Sequence, residues 1–90
     1  MTTTTFNGFA NYETWNVILW IGNDELLYNT AKACFEFVGN NETPYDKFAR
    51  CMMEGQIGRF LGETGDGVKW DDANIDRDRV NEMFQENFGV

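Results

Sequence analysis

Seven acidic side chains toward the C-terminus, Asp66, Asp71, Asp72, Asp76, Asp78, Glu82 and Glu86, are the residues with most chemistry to offer. Among them, Asp72-Ala73-Asn74-Ile75-Asp76-Arg77-Asp78 alternates oxygen-bearing side chains at its first, third, fifth and seventh positions, as a calcium loop does. The details fail. Arg77 stands where such a loop needs glycine for its sharp turn, and Met83 stands where it needs the bidentate glutamate, with Glu82 one residue early. The stretch reads instead as a solvated loop feeding a helix N-terminus. Paired carboxylates could do general acid–base work, but that requires a deep cleft, which a short helical chain rarely forms. The chain has no histidine, so the commonest acid–base and metal-ligating side chain is missing. Cys34 and Cys51 have no evident activating base and are too few to hold zinc. Gly65-Asp66-Gly67 lacks the following pattern and lysine of a phosphate-binding loop. The expectation is therefore no catalytic residue, no metal and no cofactor.

The elements that must position these acids are legible from periodicity and capping. Ninety residues make one small domain, and eight Phe, three Tyr and three Trp compensate for the short chain. Residues 1–10 read as a flexible lead-in, threonine-rich at first, with Phe6 and Phe9 folding back from an Asn7-Gly8 turn. Residues 11–90 read as one all-α domain of about four helices packed around a buried first helix. Asn11 suits an N-cap and Glu13 the first turn that follows. That helix is apolar almost all round, with Trp15, Ile18, Leu19 and Gly22 on one stripe and Val17, Trp20 and Ile21 filling the other side. Asn16, if buried, must find hydrogen-bond partners. Gly22 suits a left-handed helix end, with Asn23 recapping the next helix at once.

The second helix then shows an apolar stripe of Leu27, Ala31, Cys34, Phe35 and Val38. Thr43, Pro44 and Asp46 open a third helix. It carries Tyr45, Phe48, Ala49, Met52 and Met53 and is expected to continue, weakened at Gly55 and Gly58, through Ile57, Phe60 and Leu61 to Gly62. Val68-Lys69-Trp70 is too short for a helix and is expected to tuck Trp70 into the core. Ile75 and Asp76 look like a staple and cap for a last helix with Val80, Met83, Phe84 and Phe88 inward.

Charge points to the class of partner. Fifteen acids against seven bases give −8, and residues 61–90 carry −5 of it. Such a field repels nucleic acid and anionic membranes and attracts basic surfaces, the nucleic-acid clefts of other proteins included. Arg77 and Arg79, the only close pair of bases in the sequence, alternate with Asp76 and Asp78, so direct nucleic-acid binding is not expected. No apolar run reaches membrane-spanning length, and the first residues lack a signal-peptide pattern. A cytoplasmic setting follows as the expectation, with Cys34 and Cys51 read as buried free thiols and a single disulfide between them left open by the sequence.

The string Asn11-Tyr12-Glu13-Thr14-Trp15-Asn16-Val17, followed by Leu19-Trp20-Ile21 and Asn23-Asp24, resembles a small family of uncharacterised proteins from bacteriophages, cyanophages and bacteria. Asp66-Gly67-Val68-Lys69-Trp70, Asn74-Ile75-Asp76 and Val80-Asn81-Glu82-Met83 look like its second block. The family carries no functional residues to transfer. The resemblance implies a phage or mobile-element setting, in which small acidic proteins often inhibit host machinery. The expected function is inhibition of a basic, nucleic-acid-handling host protein in the host cytoplasm, as in anti-CRISPR or anti-restriction action, by DNA mimicry through the seven acids. The alternative is a non-catalytic helical adaptor or oligomerisation module, using exposed aromatics or a Met52-Met53 patch. Both leave a homodimer open. Tyr12, Glu13 and Asn16 are the residues of the first helix that remain as candidates for more than packing.

Overall fold

A computed structural model describes residues 8–54 and 62–89. Four helices carry the described chain: α1 (Tyr12–Asn23), α2 (Glu25–Phe37), α3 (Pro44–Met53) and α4 (Arg77–Phe88). Each begins at a side chain that accepts a hydrogen bond from an otherwise unpartnered first-turn amide. Asn11 accepts from the Thr14 amide at 2.9 Å, Thr43 from Asp46 at 3.2 Å, and Asp76 from Arg79 at 3.2 Å. Pro44 opens α3 with its fixed φ and missing donor.

The corner between α1 and α2 differs from expectation. Gly22 and Asn23 remain helical, and Asp24 serves both helices. Its amide donates to the Trp20 carbonyl at 3.0 Å, and its carboxylate accepts from the Leu27 amide at 3.0 Å. Asn23 is thus displaced by a charged acceptor one residue later, which also favours the positive end of α2. The described part of α3 ends at Met53, with Glu54 extended. Its expected continuation falls on residues 55–61, outside the described residues, and Gly62 lies in a loop. The lead-in up to residue 7 is likewise outside them. Gly8 takes a positive φ of 87°. Beyond it Phe9 folds back as expected, with the Arg79 guanidinium 5.1 Å from its ring centroid.

α1 packs on α2 and α4, and α3 packs on the same two helices, which also touch each other. α1 is buried along one face, Thr14, Val17 and Ile21, together with Asn16. Trp15, Ile18, Leu19 and Trp20 stay partly exposed. The fully buried stripe is therefore the one through Val17, while Ile18 of the Trp15 stripe and Trp20 pack against the core from its margin. Opposite it, Tyr45, Phe48, Trp70 and Phe84 form an aromatic cluster. Phe48 meets Trp70 edge-on at 5.2 Å and Phe84 at 6.3 Å. The buried Tyr45 hydroxyl donates to the Trp70 carbonyl at 2.6 Å, and burial pushes its ionisation far above the ordinary value.

The chain between residues 62 and 70 is a short hairpin. Glu63 and Lys69 bridge antiparallel, the Gly67 amide donates to the Thr64 carbonyl at 2.9 Å, and the Thr64 amide donates to Val68 at 2.8 Å. Gly67 takes φ 92°, the left-handed residue that a three-residue hairpin loop requires. The hairpin delivers Trp70 to the core, where it is 1% exposed.

Cys34 and Cys51 face each other across α2 and α3, both as free thiols. Burial and the neighbouring Cys51 push the Cys34 thiol up to about 11, so it stays protonated and unreactive. Iodoacetamide at about pH 8 is expected to label the half-exposed Cys51 well before Cys34. Peptide mass mapping of a short time course checks the order, and equal labelling would contradict it.

Candidate functional site

Asn16 has a fully buried side chain, and its amide is satisfied from a distant part of the chain. Its Nδ2 donates to Asp66 Oδ2 at 2.8 Å and to the Tyr12 hydroxyl at 3.4 Å. Its Oδ1 accepts from Thr64 Oγ1 at 2.5 Å. Thr64 Oγ1 in turn accepts from the amides of Asp66 and Val68, each at 3.2 Å. Trp20 Nε1 donates to the same Asp66 Oδ2 at 2.9 Å. Together these bonds fix the hairpin against α1. They also hold the Asp66 carboxyl below its ordinary value, the Trp20 indole contributing most and the Asn16 amide next. A methyl group added at Gly65 would stand 2.4 Å from the Trp20 ring, so a residue without Cβ lets the indole lie against the hairpin.

A second tie holds the start of α1 to the start of α4. Asn11 Nδ2 donates to the Asn74 carbonyl at 2.5 Å, and the Asp76 amide donates to the buried Thr14 hydroxyl at 2.7 Å. Residues of the distinctive N-terminal string thus hold the acidic segment in place. Of the three α1 candidates, Asn16 is a structural tie. Tyr12 is exposed and packs on Trp15 at 5.7 Å. Glu13 is partly exposed in the first turn.

The seven expected binding acids divide by what they already do. Asp66 anchors the hairpin. Asp72 accepts from the Asn74 amide at 2.7 Å, and Asp76 caps α4. Asp71 and Asp78 are exposed, and no cationic side chain pairs with them among the described residues. Glu82 and Glu86 are exposed and share Arg79, at 3.4 and 3.9 Å. Asp78, Glu82 and Glu86 recur every fourth residue on α4 and form one carboxylate stripe. Arg77 is drawn away from this stripe to Asp46 at 3.3 Å and to the Tyr45 ring at 5.8 Å. All fifteen acids of the chain are at least partly exposed. The expected Met52-Met53 patch does not form, because Met52 is a core residue at 4% exposure. Among the described residues, the exposed large apolar ones are instead Tyr12, Leu26 and Phe37.

A groove of about 380 Å³ opens beside Trp20, between the start of α2 and the hairpin. Sequence reasoning did not find it, since its walls come from segments some forty residues apart. No cluster of His, Cys, Asp and Glu among the described residues could hold a metal ion, and no described helix is long and apolar enough to cross a membrane.

Residues 2–88 match the model of a family of unknown function, DUF7249, and the chain belongs to that family. No curated protein and no solved structure matches it.

Proposed function

We propose that this member of a family without an assigned activity is a binding protein that engages a basic surface on another protein. The partner class is a nucleic-acid-handling host protein, and inhibition by occupying its cleft is the consequence. The single observation that carries this reading is the α4 stripe Asp78–Glu82–Glu86, preceded in the chain by Asp71, Asp72 and Asp76, with Arg79 paired to Glu82 and Glu86. Carboxylates four residues apart on a helix advance about 6 Å along its axis. A DNA strand advances about 3.4 Å per phosphate, so the stripe stands near every second phosphate of one strand. The phage setting and anti-defence role rest on the resemblance of the Asn11–Asp24 string.

Reversing Asp71, Asp78 and Glu82 together to lysine leaves the caps and the Asp66 tie intact. It is expected to weaken capture of the basic partner at least about tenfold at low salt. Pull-down from host lysate, followed by titration of the captured protein, measures this. Unchanged affinity would sink the acidic-face reading. The adaptor reading keeps one observation in its favour: Leu26 and Phe37, 60% and 74% exposed, lie on the same face of α2 with Ala33 between them. Association through that face would persist at high salt, whereas charge-driven binding weakens.

A further inference from the structure

The groove beside Trp20 combines features that the acidic face lacks. Its walls carry Trp20, Leu26 and Leu27, with Met52 and Trp70 also lining it. Asp24 and Glu63 line the same groove, and none of its described lining residues is cationic. Asp24 Oδ1 is engaged by the Leu27 amide, which fixes the carboxylate and leaves Oδ2 for a ligand. Glu63 is exposed. The Trp20 ring is held by its bond to Asp66 and by contact with Gly65, so this wall is set before any ligand arrives. Leu26 is 60% exposed beside it, a large apolar side chain that the core does not use.

We propose that this groove seats an arginine side chain presented by the basic partner. The aliphatic stem lies against Leu26 and Leu27. The guanidinium meets the fixed Asp24 carboxylate and the exposed Glu63 beside the Trp20 indole, a combination of negative charge and aromatic surface that suits a planar, weakly hydrated cation. The volume is within the range of small-ligand sites, enough for one such side chain and its neighbouring backbone. The inference rests on the acidic-face reading only for the source of the arginine. It gives that reading an anchor residue of the kind that dominates interface energetics.

The test uses a blocked Gly-Gly-Arg-Gly-Gly peptide and its citrulline counterpart, which keeps the shape and removes the charge. Amide chemical shifts of the ¹⁵N-labelled protein are followed during titration. The arginine peptide is expected to shift Leu26 and residues 63–65 saturably, with the citrulline peptide about tenfold weaker. Glu63→Gln and Leu26→Ser, both at exposed positions, are each expected to weaken the arginine peptide about fivefold. Equal binding of the two peptides, or shifts confined to residues 71–86, would overturn the groove assignment. If Glu63→Gln binds the peptide normally while the triple reversal abolishes partner capture, the groove falls and the acidic-face reading stands. If the peptide fills the groove while the triple reversal captures its partner fully, the groove stands and the acidic-face reading falls.

Discussion

Trp70→Ala is expected to destabilise the domain by about 3–5 kcal/mol, a large share of the roughly 5–15 kcal/mol available to a domain. Trp70 is 1% exposed and closes the aromatic cluster edge-on against Phe48 at 5.2 Å. Its removal leaves a void lined by rings on α3 and α4, which α3 cannot fill without moving Tyr45. Tyr45 is held on one side by its hydroxyl bond to the Trp70 carbonyl and on the other by its amide bond to Asn81 Oδ1 at 2.8 Å. Relaxation is therefore limited, which places the cost toward the upper end. Urea unfolding followed by far-ultraviolet circular dichroism measures it without relying on tryptophan emission. A midpoint shift worth less than about 1 kcal/mol would mean that the hairpin, not the ring, closes the core. Trp70→Phe, which keeps an aromatic ring, is expected to retain more than half of the lost stability.

That Trp70 belongs to the core was readable from the sequence, and the reason shows how far such reading goes. Local signals were sufficient wherever one residue acts on the next turn. Asn11, Thr43 and Asp76 cap their helices as their side chains dictate, and the inward faces of α2, α3 and α4 follow from spacing alone. The same logic failed at Gly22-Asn23, because two adjacent residues could both cap α2 and only the geometry of the corner selects Asp24. It failed again for α1. An apolar stripe on both sides of a helix does not say which side meets the core, and a buried polar pair, Thr14 and Asn16, marks the inner region instead. The acidic residues were visible as charge, but their division between anchoring and free carboxylates was not. Asp66 meets Asn16 and Trp20 across 50 and 46 residues, and nothing in a single sequence pairs polar groups over that distance. The groove was hidden for the same reason.

The tie between α1 and the hairpin carries the second large expected effect. Asn16→Leu keeps the branched side chain of four heavy atoms and removes both hydrogen-bonding ends of the amide. The hydroxyl of Thr64, a residue 3% exposed, then loses its buried acceptor. The expected loss is about 2–4 kcal/mol, most of it the penalty for leaving buried polar groups unpaired. Thr64→Val removes the hydroxyl and with it the acceptor of the Asp66 and Val68 amides, so it costs stability by itself, but it is expected to cost less in the Asn16→Leu background, where the Thr64–Asn16 bond is already gone, so the two changes are non-additive in a double-mutant cycle. Strict additivity would show that Asn16 acts through packing alone. Acid supplies an independent readout. The Asp66 carboxyl is held below its ordinary value of 3.8 by Trp20 and Asn16. Its contribution is complete above the unfolded value and is lost as pH falls through the lower folded one. The stability gap between the native chain and Asp66→Asn should therefore be widest near neutrality and close below about pH 4. In the Asn16→Leu background the gap should already be smaller at neutral pH, because one of the two donors that depress the carboxyl is gone. A gap that is the same size at pH 7 in both backgrounds would separate Asp66 from Asn16 and leave Trp20 as the donor that depresses the Asp66 carboxyl.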